Sequence, residues 1–246
     1  MNEPRRAGRP VGPPETRPVP TPPSFAPTAR RERSRTASGG RPARRRRGGQ
    51  RLPERAIVFV GPMAAGKTSL GKRVARELGI PFVDTDAQFV RKYGPIAEFF
   101  VTHGEDEFRK REAEVIAHEL AEAGARIVAL GGGAVIHEGT RALLAQHPVV
   151  LLMTTQEAVL RTANLSKRPL LRDDPTSWGR ILKERRPLYD AVADVTFRTD
   201  RATKDQLTER ASRWVAAQGR KAWRERNRTQ EKTPSPEPLK ESRSDD

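Results

Sequence analysis

The sequence predicts an α/β fold, a five-stranded and mostly parallel sheet flanked by helices on both faces. Three observations predict it. Five short apolar runs recur along residues 51–217, stretches with helical apolar spacing lie between several of them, and a glycine-rich turn joins the first run to the first helix. Strand–helix alternation is the signature of a parallel sheet, because each crossover carries a helix back across one face.

Taken in order, Ala56-Ile57-Val58-Phe59-Val60 is apolar without a break, as a strand buried on both faces requires. Residues 68–78 read as a helix that Gly79 ends. Pro81-Phe82-Val83 is a short second strand leading into Asp84-Thr85-Asp86. Residues 105–123 read as a helix, with Phe108, Val115, Ile116 and Leu120 near one face and Gly124 as the stop. Residues 126–130 and 149–152 are the third and fourth strands. A helix over 176–192, a fifth strand over 195–197 and a closing helix over 203–217 complete the pattern.

The charge is unevenly placed. The 246-residue chain has 47 Lys+Arg against 31 Asp+Glu, a formal +16, which by itself suggests a nucleic-acid or acidic-membrane partner. Residues 1–50 carry 13 Arg against 3 Glu, with 10 prolines and a single aromatic, Phe25. Such a segment cannot bury enough apolar surface to offset its ordering entropy, so it is expected to be disordered. Residues 218–246 begin as a frayed helix around Trp223 and become a polar tail, expected to be largely disordered. The remaining 167 residues, 51–217, are nearly balanced at +4 and suffice for one core.

Composition excludes several chemistries. The absence of cysteine removes disulfides, Cys-ligated zinc, iron–sulfur clusters and thiol nucleophiles. No run approaches the roughly 18 apolar residues of a membrane span, and the basic N-terminus lacks the apolar core of a secretory signal. A soluble cytoplasmic protein is expected, and nothing in the sequence requires a partner chain, so a monomer is expected too.

Gly61-Pro62-Met63-Ala64-Ala65-Gly66-Lys67-Thr68 satisfies G-x-x-x-x-G-K-[ST] between a strand and a helix. A random chain of this length matches roughly once in a hundred, and the strand–turn–helix setting lowers that further. The glycines let backbone N–H groups turn inward around phosphate oxygens, and the helix N-terminus adds partial positive charge. Lys67 would reach the β- and γ-phosphates and the Thr68 hydroxyl would ligate Mg²⁺. The motif therefore indicates a nucleoside triphosphate site, with ATP and Mg²⁺ as the implied ligands.

Later signals narrow the class. Asp84 and Asp86, on alternate residues of an extended segment, would share a face, one for the metal shell and one for a second substrate. Arg109 and Glu112 stand three apart on a helix and can pair. The third strand runs into Gly131-Gly132-Gly133 without a Walker B acid, and bare backbone permits close approach of a small ligand. Arg168-Pro169-Leu170-Leu171 lies in a polar stretch, about 162–175, long enough for a lid. Arg185-Arg186-Pro187-Leu188-Tyr189 falls late in the helix over 176–192.

With GPMAAGKT, FVDTD, GEDEFRKRE, ALGGGAV, RPLL and RRPLYDAVAD in this order, the chain resembles the shikimate kinase family across about 55–212. That family is a small member of the nucleoside-monophosphate-kinase-like P-loop group. The resemblance implies transfer of the γ-phosphoryl group of ATP to the 3-hydroxyl of shikimate, with Mg²⁺, on the way to chorismate and the aromatic amino acids. It implies a nucleotide-binding set of Gly61, Ala64, Ala65, Gly66, Lys67, Thr68 and Ser69, with Lys67 also catalytic. Arg109 and Arg185 would clamp the shikimate carboxylate, since arginine offers planar, permanently charged, bidentate donors. Asp86 would take the ring hydroxyls and act as base or orienting group, and the Gly132 N–H would add a substrate contact. Asp84 would organise the metal shell with Thr68. Arg168, on the lid, would neutralise charge on the transferring group and touch ATP. Arg201, after the fifth strand, is a candidate adenine contact. Two positions depart from the family's pattern: Ala64 stands where a third glycine is usual, and Arg186 adjoins Arg185.

Simpler roles suit the same residues. Asp84 can cap the turn after it, Arg109–Glu112 can be a helix-surface ion pair, 131–133 a tight turn and Arg168 a solvated loop charge. His103, His118, His137 and His147 show no ligand spacing, and Trp178, Trp214 and Trp223 read as packing residues. Two other functions compete. One is a gluconate-type small-molecule P-loop kinase, against which the glycine turn and the arginine pair argue. The other is a nucleic-acid-associated P-loop protein using Arg44-Arg45-Arg46-Arg47, against which the balanced core argues. No obligate nucleic acid and no membrane partner are expected.

Overall fold

The computed structural model describes residues 51–162 and 177–231. Five strands, β1 (Ala56–Val60), β2 (Phe82–Asp84), β3 (Arg126–Ala129), β4 (Val149–Met153) and β5 (Val195–Arg198), form one sheet in the order β2-β3-β1-β4-β5. Every neighbouring pair is parallel. The helices are α1 (Lys67–Leu78), α2 (Thr85–Tyr93), α3 (Ile96–Ala121), α4 (Glu138–Leu144), α5 (Gln156–Thr162), α6 (Ser177–Val192) and α7 (Lys204–Glu231), with a short 3₁₀ turn at Ala134–Ile136. No described helix is long and apolar enough to cross a membrane.

The sheet is buried on both faces, and strand alternation divides the core. Ala56, Val58 and Val60 of β1 point to one side and pack with Ile116 and Leu120 of α3, Leu144 of α4 and Tyr189 of α6. Ile57 and Phe59 point to the other side and pack with Leu70 and Val74 of α1 and Leu207, Ala211 and Val215 of α7. Period-two alternation in a strand has this consequence whenever both faces are covered. Gly71 brings α1 against the sheet: a Cβ there would stand 2.6 Å from the Phe82 ring.

The five expected strands and the helices over 68–78, 105–123 and 176–192 are present within a residue or two at most boundaries. Residues 85–103 differ. The Asp84-Thr85-Asp86 segment is not extended throughout, because β2 ends at Asp84 and α2 starts at Thr85. The helix expected from 105 begins at Ile96 and kinks at Gly104, whose φ of 78° no β-carbon-bearing residue adopts cheaply. A separate aromatic core of Phe89, Tyr93, Phe99, Phe100 and Phe108 ties α2 to both halves of α3. The closing helix, expected over 203–217, continues to Glu231.

Candidate active site

Because all strands run the same way, their carboxyl ends lie along one edge, and the loops leaving β1, β2 and β3 meet there. The first is the glycine-rich loop. Lys67 Nζ donates to the Gly61 and Pro62 carbonyls at 2.7 and 2.9 Å, folding the side chain over the loop that it would serve. Gly61 has a φ of 139°, and a Cβ there would run into the Leu152 backbone. Gly66, φ 91°, turns the chain into α1. Ala64 also takes a positive φ, 64°, the only non-glycine among the described residues to do so. The loop thus keeps its glycine-like backbone at this position without the glycine. Ser69 follows Thr68 in the first turn of α1.

Asp84 ends β2 and does two things at once. Its Oδ1 accepts the Asp86 and Ala87 N–H groups, capping α2, and its Oδ2 accepts the Thr68 hydroxyl at 2.7 Å. A hydroxyl paired with one carboxylate beside a phosphate cradle suits Mg²⁺, which keeps several waters and takes one or two carboxylates plus phosphate oxygens. No cluster of three or more His, Cys, Asp or Glu side chains able to hold a metal occurs among the described residues.

Asp86 lies in the first turn of α2 and borders the cleft. Loss of hydration against the cleft wall, and then the Asp84 charge, raise its pKa above the ordinary aspartate value, while Lys67 and Arg109 pull the other way. Its side chain keeps access to solvent, which tempers the effect. Glu112 is buried, and burial raises its pKa too, opposed mainly by Arg109. Arg109 holds Glu112 at 2.7 Å and the exposed Glu105 at 3.1 Å.

The 131–133 turn is filled by protein. A Cβ on Gly131 would stand 2.6 Å from both Asp86 Oδ1 and Glu112 Oε1, one on Gly132 would press on Met63 N of the P-loop, and one on Gly133 would collide with the Arg109 guanidinium. The bare backbone lets the site's own charged groups pack against it. From the far side, Arg185 Nη1 reaches the Gly132 carbonyl at 3.3 Å, and the Tyr189 hydroxyl donates to the same oxygen. Arg186 faces away and pairs with Asp190 at 2.6 Å. Trp178, at the start of α6, donates its indole N–H to Met63 O at 3.1 Å. One helix therefore contacts both the phosphate loop and the glycine turn.

The structure thus brings together Lys67, Asp84, Asp86, Arg109, Arg185 and the Gly132 backbone. Arg201 is exposed in the turn after β5, at the same edge, with its backbone N–H 3.4 Å from Arg198 O and its charge acting on Asp200. Arg168 and the lid stretch lie outside the described residues. Sequence reasoning missed Glu112 as a buried neighbour of Asp86, and Tyr189. The i, i+4 spacing of Arg185 and Tyr189 was the available signal.

A parallel sheet with a phosphate-binding loop after its first strand, a threonine–carboxylate pair beside that loop and two arginines facing a glycine turn define a P-loop kinase acting on a small anionic acceptor. The family model described as shikimate kinase matches residues 63–216. Shikimate kinase from Streptomyces coelicolor is 44% identical over 158 residues, 63% of this chain and 92% of that protein. The one from Salinispora arenicola is 43% identical over 163 residues, 65% of this chain and 97% of its own. A solved shikimate kinase from Acinetobacter baumannii, in complex with shikimate, superposes with a TM-score of 0.62 at 34% identity, covering 67% of this chain and 94% of that one. The chain belongs to the shikimate kinase family, and is an enzyme of the ATP-using phosphotransferase class.

Proposed function

We propose that this chain transfers the γ-phosphoryl group of ATP to the 3-hydroxyl of shikimate, giving 3-phosphoshikimate and ADP. The observation that carries the reading is the convergence of Arg109 and Arg185 on the 131–133 turn, with Asp86 and the Lys67 loop beside it. The two guanidiniums supply a carboxylate clamp, and Asp86 a hydrogen-bond acceptor for the ring hydroxyls.

Phosphoryl transfer asks mainly for positioning and charge neutralisation. Backbone N–H groups of residues 64–69 cradle the phosphates, and Lys67 swings from the Gly61 and Pro62 carbonyls onto the β- and γ-oxygens. Asp86 orients the 3-hydroxyl and takes its proton as the oxygen becomes an ester. Its raised pKa brings it nearer to the working pH of a base. The Gly132 N–H adds a contact to the acceptor, while its carbonyl is held by Arg185 and Tyr189. Mg²⁺ bound by Thr68 and Asp84 would neutralise phosphate charge. Family resemblance alone supports Arg168 as the lid cation and Arg201 as an adenine contact. A monomer working in the cytoplasm completes the reading.

The test is ADP release by the full chain at fixed Mg-ATP with shikimate, gluconate or no acceptor. Shikimate-dependent turnover is expected. Preference for gluconate, or turnover independent of any acceptor, overturns the reading.

A further inference from the structure

A large cavity among the described residues lies away from the kinase site, at the amino-terminal edge of the sheet where the chain enters β1, β4 and β5. Its volume is about 510 Å³, and a hollow of about 200 Å³ adjoins it, sharing Ala145, His147 and Asp194. Residues 51–55, the α4–β4 connection and the α7 turn at 221–226 form the walls.

The walls are fastened to one another. The chain at Arg51 and Leu52 crosses α7 at Gly219, where any Cβ would collide with the Arg51 carbonyl. The Arg51 guanidinium stacks 3.3 Å from the Trp223 ring centroid, and Arg226 pairs with Glu54. The acids lining the cavity are already engaged. Glu54 has Arg226, the Asp194 carboxylate accepts the Val149 N–H at 2.7 Å, and Glu225 is not free.

Beyond the Arg226–Glu54 pair, the lining carries three cations, Arg51, Arg55 and Lys221, against two carboxylates, Asp194 and Glu225, a net of +1. Among the described residues Arg51, Arg55 and Lys221 form no ion pair with a carboxylate; Arg55 donates to the neutral Gln146 carbonyl, and Arg51 rests on an aromatic face. Three positive side chains, two from the chain entering β1 and one from α7, therefore border one concavity of the size that small ligands occupy. Stacking holds the Arg51 fork in place before any ligand arrives, which lowers the ordering cost of binding.

We propose that this cleft is a second ligand site, distinct from the nucleotide and acceptor sites, that binds a small polyanion such as a phosphate ester or an oligocarboxylate through Arg51, Arg55 and Lys221. The test uses the full chain, ¹⁵N-labelled and saturated with ADP so that the phosphate loop is filled. The Trp223 indole N–H resonance, assigned against Trp223→Phe, is followed during titration with inorganic pyrophosphate and, separately, citrate. At least one of the two is expected to move it saturably, and which one tells phosphate from carboxylate recognition. Lys221→Glu, at an exposed position with no ion-pair partner among the described residues, is expected to weaken that binding about tenfold or more, with the unfolding midpoint and shikimate-dependent turnover unchanged. Arg51→Ala is expected to weaken it as well. Shifts that only drift linearly with ionic strength, equal affinity in Lys221→Glu, or a response to a nucleic-acid duplex but to neither small anion would each overturn the proposal.

Discussion

Tyr189 donates its phenolic hydrogen to the carbonyl of Gly132, the oxygen that Arg185 also reaches from one helical turn earlier. Burial pushes the phenol's pKa up to about 12, so it stays a donor throughout the range in which a kinase works. Two donors on one carbonyl fix the orientation of the peptide that joins Gly132 to Gly133. They also fix Arg185, which would otherwise be a long side chain free to rotate.

Tyr189→Phe therefore removes one donor while leaving the packing. The expected result is a KM for shikimate raised several-fold with KM for ATP within about twofold, and a stability loss of about 1 kcal/mol. Steady-state kinetics on both substrates and urea unfolding measure the two parts. Equal change in both KM values would mean that Tyr189 acts only on the fold.

Ala64 at φ 64° sits in the left-handed region, which costs a β-carbon-bearing residue about 1–2 kcal/mol. Glycine relieves that strain but has more unfolded-chain entropy to lose, about 0.4–1 kcal/mol. Ala64→Gly is expected to stabilise the protein by up to about 1 kcal/mol, read as a higher unfolding midpoint. A lower midpoint would mean that the alanine methyl makes compensating contacts.

Arg109 faces the glycine turn, with Glu112 and Glu105 holding its guanidinium. In the proposed clamp Arg109 gives two charge-assisted hydrogen bonds to the shikimate carboxylate, so Arg109→Ala is expected to weaken shikimate binding about 100-fold. Nucleotide affinity, measured by calorimetry with ADP, is expected to stay within about threefold. Loss of both to the same degree would remove Arg109 from the acceptor site.

The raised pKa of Asp86 has a sign that stability measurements can read. A carboxyl that binds its proton more tightly when folded favours the fold at pH below its unfolded value. It loses that advantage as pH rises to the folded value, and the penalty is constant above. Asp86→Asn, which cannot ionise, is therefore expected to be more stable than the parent at pH 7. The gap is expected to close as pH falls through the carboxylate range. Urea unfolding at pH 4 and pH 7 checks this, and a gap that widens toward acid would reverse the assignment. The same variant is expected to lose nearly all turnover.

The sheet was legible because its central strands are buried on both faces, so 56–60, 127–130 and 149–153 are apolar without interruption. The phosphate loop was legible because its glycines and lysine stand at fixed intervals. Residues 85–103 were not. Asp84 is at once the last strand residue and the cap of α2, and over three residues an extended chain and a helix start look alike. Gly131-Gly132-Gly133 was read as bare backbone open to close approach, but its spacing did not show that Asp86, Glu112 and Arg109 pack against it from α2 and α3. The motif points to Arg185, but Arg186 stands beside it in the sequence. Helix geometry separates them, turning Arg185 to Gly132 and Arg186 to Asp190. The Tyr189 partner is a backbone carbonyl 57 residues away, for which a sequence carries no mark.

A site of this geometry delivers the phosphoryl group to one particular oxygen of shikimate. Incubating the full chain with Mg-ATP and shikimate, and recording ³¹P and ¹H spectra of the product, tests it most directly. The expected product is a phosphate monoester whose phosphorus couples to the proton on C3. Coupling to the proton on C4 or C5, or inorganic phosphate with no ester at all, would contradict it.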